Sequence, residues 1–255
     1  MSFRPDGQSL TCENCDAQDP PTPKRLKEQE IKEDDFVVSL ATARGHGKSV
    51  SIHSLTCQGC GAVFILPPES LTSFCPYCDT PYALEKMIDR EVIEPAALIP
   101  FMLSGDRAKQ ALSEWLEERS KPKFHEDIPL QGVYLPAWTF DMAGDVPWAC
   151  QVLRSRNWEN KSGYQPVHFD DLMMLATDRL PVKLRSVVQS FDSQYLVPYD
   201  TRYIAAWTAE TYRISMSNVS LEARGLALEE IRRQVQSSFL RPLRNLVLDS
   251  SKLYI

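Results

Sequence analysis

Hydrophobic spacing along this chain changes character near Pro95. Beyond it, Ala108, Ala111, Leu112, Trp115 and Leu116 recur at three- and four-residue intervals, which predicts an amphipathic helix over Asp106 to Ser120 that ends before Pro122. Gly132 to Asp141 alternates large apolar residues and is rich in strand formers, with Pro136 suggesting an edge or bulge. Val146 to Arg154 and Val167 to Leu175 read as further strands, and Pro181 to Phe191 as a helix. Tyr203 to Ile214 reads as an aromatic strand with a helix as its rival; Ser220 to Phe239 reads as a long helix capped by Ser220 and weakened at Gly225. The pattern predicts an α+β domain over 95–255.

Before Pro95 the pattern is thinner. Asp16 to Asp35 has three prolines and then a mixed charge run with almost nothing to bury, so it reads as a linker. Phe36 to Leu40 is too brief to assign to strand or helix. From Leu55 to Leu84, apolar Val63 to Leu66 and returning Leu71 to Phe74 flank Pro67-Pro68, which predicts a two-stranded antiparallel ribbon with a cysteine knuckle at each base. The expected organisation is a largely flexible segment 1–54, a ribbon over 55–84 and the α+β domain.

Six of the seven cysteines fall in three Cys-x-x-Cys pairs, a spacing that turns two thiolates toward one ion. Cys57 and Cys60, then 14 residues, then Cys75 and Cys78 form a complete four-sulfur set. Each second cysteine is followed by a residue suited to a left-handed turn, Gly61 and Asp79. Zinc is the expected ion, with iron the alternative for tetrahedral sulfur. Four thiolates leave no open coordination position, so the ion is expected to be structural, its binding contributing on the order of 10 kcal/mol to a module with few apolar residues. Cys12 and Cys15 are half a site: completion by His46 and His53, completion by another chain, a redox dithiol and a metal-free remnant are the readings open to them. Cys150, in an apolar stretch, is expected to pack as a small hydrophobe.

Charge sharpens the picture. The chain has 255 residues and a net charge of −6, and all of that acidity lies in residues 1 to 95, with 15 Asp+Glu against 9 Lys+Arg. No Lys or Arg occurs between Lys48 and Lys86, so the ribbon has no phosphate contact of its own. Gly45-His-Gly-Lys-Ser49 resembles the end of a phosphate-binding loop, but Thr42 stands where the leading glycine belongs, which argues against nucleotide binding. His125 and His168 sit beside no nucleophile, and Arg154-Ser-Arg-Asn-Trp158 is the one place where cations and an aromatic interleave. The apolar runs are too short to span a bilayer and the N-terminus does not read as a secretory signal, so a cytosolic location is expected.

The ribbon Cys57 to Cys78, Ile99-Pro-Phe101, Trp115-Leu116, Gly132-Val-Tyr-Leu-Pro-Ala-Trp138 and Leu196-Val-Pro-Tyr199 together resemble bacterial zinc-ribbon proteins that carry a primosomal-protein-like or helicase-like label. The resemblance implies two ribbons in many members, and residues 3 to 15 then look like the second half of a first ribbon. Longer members of that group continue past the point matching Ile255, some into membrane-spanning tails, so no membrane role is carried over. The sequence therefore leads us to expect a non-enzymatic structural-zinc protein that acts as an adaptor for a protein partner. A nucleic-acid-binding accessory protein of replication or transcription is the alternative.

Overall fold

A computed structural model describes residues 2–3, 10–11, 18–19, 31, 33–41, 49–65, 72–83, 88–119, 130–204 and 207–255. It has mixed α and β structure. In chain order the elements are β1 (Ser2–Phe3), β2 (Leu10–Thr11), β3 (Gln18–Asp19), α1 (Phe36–Ala41), β4 (Ser49–Thr56), β5 (Val63–Ile65), β6 (Thr72–Phe74), β7 (Pro81–Ala83), β8 (Ile88–Ile93) and β9 (Ala97–Leu98). There follow α2 (Gly105–Glu118), β10 (Val133–Tyr134), β11 (Ala137–Arg154), β12 (Asn157–Leu175), α3 (Val182–Gln189), β13 (Val197–Pro198), α4 (Thr201–Ile204), β14 (Thr208–Glu210), α5 (Met216–Ser237) and β15 (Leu243–Leu248). No helix among the described residues is long and apolar enough to cross a membrane.

The chain divides into two compact units, each assembled from separate stretches. The first comprises Met1–Asp35, Thr42–Pro136 and Asp192–Tyr212; the second comprises Phe36–Ala41, Ala137–Phe191 and Arg213–Ile255. This division cuts across the expected span 95–255, because β14 pairs in parallel with β10 and antiparallel with β5, drawing residues near 210 into the cysteine-bearing unit. In that unit the five-stranded sheet runs β10-β14-β5-β4-β8.

The expected ribbon pairing is corrected here. Among the described residues β5 pairs with β4 and β14, while β6 pairs with β7 in a separate two-stranded sheet, so each knuckle closes its own hairpin. The reason is local: a tight turn at each Cys-x-x-Cys brings its own flanking residues into register, Thr56 opposite Val63 and Phe74 opposite Pro81.

The second unit is a three-stranded antiparallel sheet, β12-β11-β15, with α5 against one face. Phe140, Met142, Val146, Cys150 and Val152 of β11 are all buried and share one parity, as a half-covered strand requires. Phe140, Met142 and Val146 meet Met216, Val219, Ala223, Ala227, Ile231 and Val235 of α5, spaced by three or four residues. The two strands expected at 132–141 and 146–154 form, from Ala137 on, one continuous strand of 18 residues. Ser155 and Arg156, both at positive φ (49° and 72°), turn it into β12. The long helix starts earlier than expected: Ser215 caps it by accepting from the Asn218 N–H, and Ser220 lies buried in its second turn. Phe36 to Ala41 is helical, and the strand expected over 203–214 is confined to Thr208–Glu210.

Candidate metal centre

Two nearly identical turns present the four cysteines. In the first, Cys57 N–H donates to Ala62 O (2.8 Å) and Gly61 N–H to Cys57 O (2.8 Å); in the second, Cys75 N–H donates to Thr80 O (3.0 Å) and Asp79 N–H to Cys75 O (2.9 Å). Each turn closes through a left-handed residue, Gly61 at φ 71° and Asp79 at φ 56°, as their positions after the second cysteine suggest. The turns then offer main-chain N–H groups to sulfur: Ala62 to Cys60, Tyr77 and Cys78 to Cys75, and Thr80 to Cys78.

The result is one convergent cluster. The Sγ atoms of Cys57, Cys60, Cys75 and Cys78 all lie within 4.8 Å of one another. Two contacts cross between the hairpins, Cys57 to Cys78 and Cys60 to Cys75, each at 3.6 Å. A disulfide needs about 2.05 Å, so these are free thiols. Tetrahedral sulfur at about 2.3 Å from an ion implies sulfur–sulfur edges of about 3.8 Å, so the cluster is the size of a four-sulfur metal cage. Such an arrangement could hold a metal ion such as zinc.

Burial makes the thiols reluctant to ionise without a cation. It pushes Cys75 up to about 12 and raises Cys60 as well. Exposed Cys78 goes the other way, held down to about 6 chiefly by the Thr80 hydroxyl 3.2 Å away, with the Thr80 N–H adding to it. A divalent cation compensates the charge that burial disfavours.

The cage is built into a small apolar cluster of Leu55, Cys57, Ala62, Phe64 and Cys75, with Tyr77 and Val133 packed against it. Tyr77 stacks on Phe64 (centroids 5.8 Å apart) and donates its hydroxyl hydrogen to the buried carboxylate of Glu210 at 2.6 Å. Sequence reasoning missed Glu210, because nothing local marks a carboxylate 133 residues from its partner. Cys150 is buried in the second unit, among strand residues, as its apolar setting implies. His168 lies exposed on β12. Cys12, Cys15, His46 and His125 lie outside the described residues, as do the first four residues of the loop at 45–49; His53 falls on β4.

No family model matches the chain. No solved structure matches it either. The uncharacterized protein YdjG of Bacillus subtilis (strain 168) is similar to it, 23% identical over 164 residues, which is 58% of this chain and 48% of the relative. The chain thus spans about half the length of the curated relative it matches.

Proposed function

We propose that the four cysteines hold one structural zinc ion and that the chain is a non-enzymatic adaptor whose metal-bearing unit docks a protein partner. The observation that carries this reading is the closed set of four sulfurs, two from each hairpin, all within 4.8 Å. A tetrathiolate cage offers substrate no coordination position, and its role is to fix two hairpins that have little core of their own. The alternative ion, iron, uses the same ligands and is separated by elemental analysis.

The surface around the cage suits a protein better than a nucleic acid. Across the first unit the sequence has 24 Asp+Glu against 15 Lys+Arg, so phosphate is repelled. Phe74, immediately before Cys75, is 61% exposed and gives the knuckle an aromatic anchor of the kind that dominates protein interfaces. We place the chain with the bacterial zinc-ribbon proteins of the primosomal or helicase-like label on its motif resemblance alone. The nucleic-acid alternative draws on the second unit, where Lys and Arg outnumber Asp and Glu by 13 to 10.

Elemental analysis of the purified chain should return one zinc per chain. Affinity capture from the native cell should yield a partner with the wild type and lose it with both Phe74→Ala and Cys60→Ser. A captured partner indifferent to both substitutions would overturn the adaptor reading.

A further inference from the structure

The four sulfurs of the cage are not equally open to solvent. Cys57 and Cys75 are buried, 2% and 0% exposed, and Cys60 is half-buried, whereas Cys78 is exposed. The side of Cys78 turned to the first knuckle is also bare. Gly59 lies against it, where a Cβ would come within 3.2 Å of the Cys78 Sγ and collide with the Thr80 hydroxyl, so the turn that approaches this sulfur has no side chain to cover it. A small electrophile arriving from solvent therefore meets Cys78 before the other three.

A partner for an oxidised Cys78 is already in place. The Cys57 Sγ lies 3.6 Å away on the other hairpin, so small side-chain rotations close the gap to a disulfide length of about 2.05 Å. Cys60 and Cys75 make the second contact between the hairpins, also at 3.6 Å, but with Cys75 fully buried and Cys60 half-covered that pair is the more shielded of the two.

We propose that Cys78 is a site of oxidation by hydrogen peroxide and Cys57 the cysteine that resolves it, which makes the cage a reversible redox switch. The switch rests on the reading of the cage as a metal site. The Cys78 sulfur attacks one peroxide oxygen; the O–O bond breaks, hydroxide leaves, and the sulfur, oxidised by two electrons, becomes a sulfenic acid. The Cys57 sulfur then attacks the Cys78 sulfur; the S–S bond forms, the S–O bond breaks and a second hydroxide leaves. In sum, two thiolates, one peroxide and two protons from solvent give one disulfide and two waters. Two of the four ligands are thereby withdrawn and the ion is released, while the new bond still ties one hairpin to the other. Docking through Phe74, next to Cys75, becomes sensitive to peroxide.

The test uses the full, zinc-loaded wild-type chain, with zinc measured before and after exposure to about one equivalent of hydrogen peroxide and its release followed with a chromogenic chelator. Mass spectrometry locates the disulfide. No Lys or Arg occurs between Lys48 and Lys86, so trypsin leaves all four cysteines on one peptide; chymotrypsin, cutting after Phe64 and Tyr77, separates Cys57 and Cys60 from Cys75, and Cys75 from Cys78. The first product should be the Cys57–Cys78 disulfide, with one zinc lost for each disulfide formed, and dithiothreitol with added zinc should restore both thiols and the bound metal. Any other first disulfide, a sulfinic acid at Cys78 without a disulfide, or a chain that keeps its zinc at about a tenfold excess of peroxide would overturn the proposal. The zinc measured before peroxide keeps the two readings apart: a chain that cannot be loaded overturns the metal reading and the switch with it, whereas a loaded chain that fails afterwards overturns the switch alone.

Discussion

Tyr77 hands a hydrogen bond of 2.6 Å to Glu210, and that bond pins the second cysteine knuckle to a strand of the main sheet. The two hairpins belong to different sheets, and the Cys57–Cys78 and Cys60–Cys75 contacts and the Phe64–Tyr77 stack link them. Tyr77→Phe keeps the stack and deletes the donor to a buried carboxylate, which should cost about 1 to 3 kcal/mol. Thermal unfolding should report that loss, together with faster transfer of the metal to a competing chelator.

Metal binding should release protons, and from identifiable thiols. With Cys75 pushed up to about 12 and Cys60 raised, both hold protons at neutral pH until a cation displaces them, whereas Cys78, held down to about 6, has already lost its own. Apparent affinity should therefore fall as pH falls. Calorimetric titration of the metal-free chain in buffers of different ionisation enthalpy measures the release directly. Thr80→Val, which removes the hydroxyl beside Cys78, should increase the number of protons released at neutral pH.

The parts of this fold that are legible in sequence are those set by local spacing. α2 was readable because Ala108, Ala111, Leu112, Trp115 and Leu116 form one stripe, and the knuckles because their turns need only Cys-x-x-Cys and a residue tolerant of positive φ. Non-local pairing was not readable. β14 joins β5 across some 145 residues, and nothing in Thr208-Ala-Glu210 announces that neighbour. The strand expected over 203–214 failed because Asp200 accepts from the Arg202 N–H (2.9 Å) and starts a short helix, leaving three residues for the sheet. The length of β11 was hidden by Gly144 and Pro147, which look like breaks. Gly144 is there because Lys252 O would sit 2.0 Å from any Cβ.

Two glycines should answer alanine in opposite directions. Gly225 lies inside α5, and the methyl group of an alanine there would meet nothing within 4 Å, so Gly225→Ala should stabilise the second unit by about 0.5 to 1 kcal/mol through helix propensity. At Gly132 a Cβ would fall 2.5 Å from the Trp207 ring and 3.0 Å from Phe101, which themselves pack 4.5 Å apart between centroids. Gly132→Ala must displace that pair and should cost about 1 to 3 kcal/mol. Denaturant melts of the two variants against wild type give both signs in one experiment.

Alkaline pH should destabilise the first unit before the second. Burial pushes Tyr134 up to about 12, and it does the same to Tyr212, where the neighbouring Tyr199 adds to the effect. An unfolded tyrosine ionises near pH 10, so the folded state holds its phenolic protons more tightly. Stability from these groups is complete below about pH 10 and is lost as pH rises from about 10 to 12, since there the unfolded state binds fewer protons. Tyrosinate absorbance should consequently rise in step with loss of structure in that window. Tyr212→Phe removes one of these ionisations, and its stability should fall less steeply above pH 10 than that of the wild type; an unchanged slope would show that the Tyr212 phenol is ionised as readily folded as unfolded.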